Sequence, residues 1–402
     1  MQQRLRAVLD RAFLVVGCLL HWLVARLPLA RDPDLWVFGT RSGQGFADNA
    51  KYLFLHVAAN HPEVRAVWLS TDPEVVDTLR ARGYEAHHAR SPRGLHLNLR
   101  AGVVLFTHGL RDVNLWLSGG ARAVLLWHGT PLKHISWDSH FPGEPLPVRL
   151  AHAYAHDVLD HITIPAEAMT PAFVSGLRVD PDVLAITGYP RNDALVGSIA
   201  DGDIGLDGAS LRAVEELADD HRLVLSLPTF RDAGESALEM LDTAALDELL
   251  ERHDAYLLVK PHPNEPLEPG TLAGDRIRGL PASVDSHALL PLADALLTDY
   301  SSVFFDYLLL DRPVVFYAPD LERYRAERGF YFDYDEVTPG PIARTNPELI
   351  TALDRILGPE ADGFAAERAR VRERFCDTRP DRAERVFRTI RDHENKKVRK
   401  SP

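Results

Sequence analysis

The chain has 402 residues and is short of several things at once. Cys18 and Cys376 are its only cysteines. Two distant thiols give neither a disulfide framework nor a cysteine-ligated metal cluster, which suits a reducing compartment. It has no basic excess. The net charge of −13 argues against a nucleic-acid binder, whose footprint would be positive. An anionic substrate would then need a local basic cleft. Internal repeats and low-complexity runs are missing. So is a long unbroken apolar run, because Ala12–Leu29 is interrupted by His21 and Arg26. A spanning helix needs about 20 predominantly apolar residues, and this stretch falls short. It has no clean small-x-small cleavage site, so a signal peptide is disfavoured. An interfacial helix with Trp22 at headgroup level is preferred to a docked core helix.

Lysine is the most informative scarcity. Before the C-terminal tail NKKVRK there are only Lys51, Lys133 and Lys260, while arginine is abundant. All three lie in motif-like stretches: DNAKYL, HGTPLK and KPHP. A compact ammonium on a flexible stem is not replaced by arginine at a phosphate, so these positions read as candidate sites.

Apolar content of 46% is enough for packed cores, and the length predicts two α/β domains. Buried-strand runs at 35–39, 66–70, 103–107, 123–127, 161–165 and 183–187 alternate with helical stretches such as Asn49–Asn60 and Pro73–Arg82. A second series, 223–227, 256–260, 295–298 and 314–317, alternates with Leu241–Arg252, Val303–Leu310 and Pro347–Leu357. Such alternation predicts doubly wound parallel sheets. The expected layout is an N-terminal apolar helix over 1–31, a Rossmann-like acceptor domain over 32–197 and a Rossmann-like donor domain over 210–376. A helix and basic tail follow over 377–402. Gly197–Ala209, rich in Gly and Asp, reads as the linker, and a cleft is expected between the domains.

Ligands of open α/β sheets bind beyond the carboxyl ends of the strands, and the polar motifs fall there. AVLLW runs into His128-Gly129-Thr130-Pro131-Leu132-Lys133. His128 is a candidate base, and Thr130 and Lys133 offer a hydroxyl and a charge. VLAIT runs into Gly188-Tyr189-Pro190-Arg191-Asn192-Asp193, where Arg191 could reach an anion; an Arg–Asp surface pair is the competing reading. LVLSL leads to Thr229 and Arg231. YLLVK leads to Pro261-His262-Pro263, where two prolines hold the imidazole beside Lys260. Ala295–Thr298 leads to Asp299, Tyr300, Ser301 and Ser302, with Asp306 along the next helix. Ser301 or Ser302 is expected to cap that helix, whose free N–H groups and dipole would bind phosphate. The stretch lacks P-loop or dinucleotide glycines, and an ordinary capped crossover competes with this reading.

Taken together, RSGQGFADNAKYLF, LLWHGTPLK, GYPRND, TFRD, KPHP and LLTDYSSVFFDYLLLDRPVVFYAPD, followed by Tyr324 and Arg328-Gly329, resemble the CDP-glycerol:poly(glycerophosphate) glycerophosphotransferases. The likeness runs from about Gly39 to Phe375. It implies a GT-B fold, peripheral attachment to the cytoplasmic face of the membrane, a CDP-polyol such as CDP-glycerol as donor and a lipid-linked polyol-phosphate or saccharide acceptor. It points to His128 and His262 as the essential histidines and places Ser301 and Ser302 at the donor phosphates. Arg191, Arg231 and Lys260 would serve the diphosphate and the leaving phosphate. Asp299 and Asp306 could take Mg²⁺, but no fixed metal site is expected. The chain shows no large N-terminal targeting domain, which leaves polymerase and single-unit primase both open. A GT-B glycosyltransferase using a nucleotide sugar is the alternative enzyme. A non-catalytic binding module for anionic polymers is the alternative outside enzymes.

Overall fold

The computed structural model describes residues 2–231, 238–261, 272, 274–359 and 363–400, and the side chains of those between 8 and 392. The chain divides into two compact units. The first comprises Met1–His128, Ile135–Gly205 and Arg379–Pro402, and the second Gly129–His134 and Leu206–Thr378.

Seven parallel strands build the first sheet: β1 Asp32–Phe38, β2 Arg65–Ser70, β3 Ala86–His88, β4 Ala101–Phe106, β5 Arg122–Leu125, β6 Leu159–Ile164 and β7 Leu184–Ile186. Their spatial order is β3-β2-β1-β4-β5-β6-β7. Six more form the second sheet: β8 Arg222–Ser226, β9 Ala255–Val259, β10 Ile277–Gly279, β11 Ala295–Thr298, β12 Val314–Tyr317 and β13 Ile342–Ala343. Their order is β10-β9-β8-β11-β12-β13, again all parallel. Each sheet therefore reverses its winding once, between β1 and β4 and between β8 and β11. Strands covered on both faces read as continuous apolar runs, which is why the central ones are visible in the sequence. Three of the four edge strands, β3, β10 and β13, have three, three and two residues. They carry no apolar run, as short protected edges need none.

Trp36, Phe38, Phe54, Trp68 and Leu105 centre the first core. Val386, Phe387 and Ile390 of the C-terminal helix Arg382–Lys400 join it. Leu225 and Leu258 are buried in the second sheet, and Val224, Leu249, Leu257, Val315 and Leu353 form its core cluster. Part of the Gly197–Ala209 stretch lies against the first unit. Ile204 is buried, Arg82 pairs with Asp201 and Asp203, and the Lys51 ammonium donates to the Gly202 carbonyl at 2.7 Å. Lys51 is wholly buried. The lysine expected to mark a site there is a structural one.

The N-terminal helix, Gln2–Val24, docks by one face on the helix Leu146–Asp157. The buried Cys18 thiol reaches the Ala151 carbonyl, and His21 Nδ1 lies 2.7 Å from the Tyr154 hydroxyl. Gly119, in the loop before β5, is required where that loop meets the same N-terminal helix, because a Cβ there would fall 2.1 Å from the His21 carbonyl oxygen. Among the described residues no helix is long and apolar enough to cross a membrane.

Candidate active site

In the first unit the chain leaves β5 through Leu126 and Trp127 into His128. Trp127 has φ +56°, a left-handed conformation that a bulky residue adopts only when its surroundings hold it. Asn49 supplies that hold. Its Nδ2 donates to the carbonyls of Leu126 (3.2 Å) and Trp127 (2.8 Å), and its Oδ1 accepts the Arg191 backbone N–H at 3.1 Å. Arg191 Nη1 in turn donates to Asp48 Oδ1 at 2.8 Å and to the His128 carbonyl at 2.9 Å. Asp48 and Asn49, the turn Leu126–His128 and Arg191 thus meet as one hydrogen-bonded body. Although burial raises its pKa, Asp48 is brought down to about 2, chiefly by Arg191. Arg191, expected to reach an anion, spends this contact on Asp48 and the loop that presents His128. Asn192 is buried in the same turn.

The His128 ring faces solvent, and its Nδ1 lies 3.3 Å from the Thr107 carbonyl. A carbonyl only accepts, so the contact assigns the proton to Nδ1 and leaves the Nε2 lone pair free. The His108 ring stacks on it, with centroids 4.5 Å apart and planes 14° apart. Desolvation first, then the neighbouring His108 charge, push His128 down to about 4. Water at the exposed ring tempers the first cause, but the facing imidazole acts in the same direction. His108 shifts the other way. Desolvation opposes its charge, yet Asp112, whose Oδ2 is 3.7 Å from Nδ1, and Asp48 raise its pKa. Two stacked imidazoles are driven apart, one toward the neutral base and one toward the cation, as acid–base sites require. Asp112 also accepts the backbone N–H groups of Thr107 (3.0 Å), His108 (2.7 Å) and Ser42 (2.6 Å). Gly39 is needed beside it, since a Cβ would lie 2.1 Å from the Asp112 carbonyl oxygen. These groups sit at the carboxyl ends of β1, β4 and β5, beside the point where the winding reverses.

The second unit gathers its polar motifs at the equivalent reversal, between β8 and β11. Asp299 Oδ1 accepts the backbone N–H groups of Thr229 (2.9 Å) and Tyr300 (2.5 Å). Arg231 is buried, donates from Nη1 to Asp299 Oδ2 at 2.5 Å and grips Asp320 with Nε and Nη2, both at 3.1 Å. Burial opposes its charge, but the two carboxylates win and raise its pKa. The Tyr300 hydroxyl donates to Asp320 Oδ1 at 2.8 Å, and its ring stacks on Tyr324 at 4.0 Å. The Thr229 hydroxyl is buried without a hydrogen-bond partner among the described residues. Lys260 directly follows β9 and is buried. Thr130 is buried too, and Lys133 bridges to Phe330 with its ammonium 5.8 Å from the Tyr324 ring.

One expectation changes here. Ser301 and Ser302 do not cap a long helix. Val303–Tyr307 has five residues and passes into the 3₁₀ turn Leu308–Leu310. Ser302 is itself helical (φ −67°, ψ −8°) with no side-chain cap bond, and the Ser301 hydroxyl only approaches the Val303 N–H at 3.4 Å. So short a helix has little dipole to lend a phosphate. Asp299, considered for Mg²⁺, is committed to Arg231 and two backbone amides, and Asp306 is buried. His262 lies outside the described residues. Asp48, Asn49, His108, Asp112 and Asp320 were not singled out from sequence. His108 follows β4 as His128 follows β5, so applying the strand-end rule to every strand would have found it.

Residues 21–392 match the family model described as CDP-Glycerol:Poly(glycerophosphate) glycerophosphotransferase. The chain belongs to this family. A teichoic acid glycerol-phosphate transferase of Staphylococcus aureus is 32% identical over 388 residues, covering 92% of this chain and 95% of that one. A teichoic acid poly(glycerol phosphate) polymerase of Bacillus subtilis is 28% identical over 361 residues, covering 85% of this chain and 46% of the polymerase. The family member thus spans about half the length of the polymerases of B. subtilis and Staphylococcus epidermidis that it matches. The solved structure of the wall teichoic acid polymerase TagF superposes with a TM-score of 0.73 at 22% identity, covering all of both chains. That likeness establishes the GT-B-like architecture of two parallel-sheet α/β units.

Proposed function

We propose that this family member transfers glycerol phosphate, or a related polyol phosphate, from a CDP-activated donor to a hydroxyl of a membrane-linked acceptor, with release of CMP. The observation that carries the reading is the stacked pair His108–His128, with the proton of His128 held on Nδ1 by the Thr107 carbonyl. His128 Nε2 takes the proton of the acceptor hydroxyl as its oxygen attacks the β-phosphorus of the donor. The bond from that phosphorus to the CMP oxygen breaks. Transfer of this kind relies on positioning and on neutralising spread negative charge. Lys133 and Lys260 are the cations assigned to the phosphates, Thr130, Thr229, Ser301 and Ser302 offer hydroxyls, and His262 is assigned to the leaving group on family likeness. Arg191 and Arg231 hold the loops that present these groups.

The test is a donor screen with CDP-glycerol, CDP-ribitol and nucleotide sugars, each with a lipid-linked acceptor. CMP should appear with a CDP-polyol alone. Nucleoside diphosphate released from a sugar donor would transfer the protein to the glycosyltransferases.

Peripheral attachment to the cytoplasmic face of the membrane belongs to the same proposal. Leu9, Phe13, Val16, Leu19, Leu23 and Leu27 recur at helical spacing and stand exposed, as do Leu146 and Leu150 on the neighbouring helix. Exposed apolar side chains so concentrated mark an interaction surface. A Leu19→Glu/Leu23→Glu variant should keep its fold, since both side chains point to solvent, and should lose most of its co-sedimentation with anionic phospholipid vesicles. Undiminished binding would exclude this face.

A further inference from the structure

We propose that His56, His61 and Glu384 form a divalent-cation site of zinc type that clips the C-terminal helix to the first unit. His56 lies one turn before the end of the helix Asp48–Asn60, and His61 caps its C-terminus. Glu384 lies in the first turn of Arg382–Lys400. Glu384 Oε2 is 2.9 Å from His56 Nε2 and 2.8 Å from His61 Nε2. The three ligand atoms lie within 4.8 Å of one another, and no other such triad of His, Cys, Asp or Glu occurs among the described residues.

Proton counting is what singles this cluster out. His61 Nε2 faces the Glu384 carboxylate while its Nδ1 faces Glu63 Oε1 at 3.3 Å. Carboxylates only accept, and a neutral imidazole has one N–H. His61 therefore needs a second cationic partner, either another proton or a metal ion at Nε2. His56 presents its own Nε2 to the same Glu384 oxygen. A metal between the three atoms satisfies His61, while at His56, whose Nδ1 faces the Asn60 amide NH2 at 3.3 Å, that amide must turn to receive the proton the metal displaces to Nδ1. The metal leaves His61 Nδ1–H to donate to Glu63, the outer carboxylate–histidine contact common to zinc sites.

The surroundings fit that use. Arg388 Nε donates to Glu384 Oε1 at 2.6 Å, so the other oxygen remains for a metal. Phe387 stacks on His61 with centroids 3.5 Å apart and planes at 17°, which fixes the ring. Metal bonds of about 2.0–2.2 Å set tetrahedral ligands roughly 3.3 Å apart, so the two contacts to Glu384 must open by about half an ångström. All three side chains are partly exposed. A cavity of about 380 Å³ lined by Tyr52, His56, Asn60, Asp193, Asp381 and Ala383 opens beside His56. Two nitrogens and one oxygen with an open position suit Zn²⁺. The far end of the same helix carries Asp48 and Asn49, so the clip steadies the element that positions His128.

The test uses the full chain, stripped with chelator and titrated with Zn²⁺ alone. One saturable equivalent is expected. Amides of residues 382–390 should exchange more slowly with Zn²⁺ bound, a readout that needs no variant. His56→Ala and Glu384→Gln should each weaken binding by more than the roughly 10–100-fold typical of losing an outer partner, and Glu63→Gln by about that amount. Absence of a saturable equivalent would overturn the proposal and leave a proton in the metal's place. So would an equivalent that survives His56→Ala in a protein still folded by circular dichroism, or unchanged amide exchange on Zn²⁺ addition.

Discussion

Replacing His128 by alanine should lower turnover by at least about 100-fold, the loss typical of removing a general base. The fold should survive, because the ring faces solvent and its turn is held by Asn49. The pH profile separates a base from a merely positioning group. A base is active when unprotonated, and the His128 pKa is pushed down to about 4, below the ordinary histidine value of about 6.5. The acidic limb of kcat/KM should therefore fall well below pH 6.5, with activity lost as pH drops toward 4. His108→Asn removes the facing charge, so the His128 pKa should rise and the acidic limb should move to higher pH. A His128→Ala enzyme with near-normal turnover would sink the assignment. An unmoved limb in His108→Asn would show that the stacked ring does not tune the base.

Arg231→Met should cost about 3–5 kcal/mol of folding stability, the range for breaking a buried ion pair from one side. The reason lies in what stays behind. Asp299 and Asp320 would face one another with their shared partner gone, and both are buried, with side chains 2% and 8% exposed. Asp299 would keep its contacts to the Thr229 and Tyr300 amides, but these donate to a carboxylate whose countercharge is lost. Arg231→Lys should recover only part of the loss. One ammonium cannot reproduce a fork that serves Asp299 from Nη1 and Asp320 from Nε and Nη2. Urea midpoints read this effect, and a shift below about 1 kcal/mol would mean that water already reaches the triad. Activity should fall too, because Arg231 and Asp299 together set the Thr229 loop.

The amino-acid sequence by itself determined the class of fold and the placing of the polar motifs at the carboxyl ends of its strands. Central parallel strands are buried on both faces, so their apolar runs are local signals. The polar motifs follow those runs directly, and the carboxyl-end rule converts that adjacency into a site. Family membership was legible for the same reason, since HGTPLK, KPHP and TDYSS are short contiguous words. Only the tertiary structure decided what each polar side chain does. Lys51, Arg191 and Arg231 look alike in the sequence as cations in motifs. Lys51 is a wholly buried prop for the Gly202 carbonyl, Arg191 ties Asp48 to the His128 loop, and Arg231 is locked between two aspartates. Those roles depend on partners up to 151 residues away, and neither helical nor strand periodicity encodes such pairs. The same holds for Glu384, whose meeting with His56 spans 328 residues. A carboxylate in an exposed-looking helix becomes a ligand only because the C-terminal helix folds back onto the first core, where Val386, Phe387 and Ile390 gain more from burial than from water.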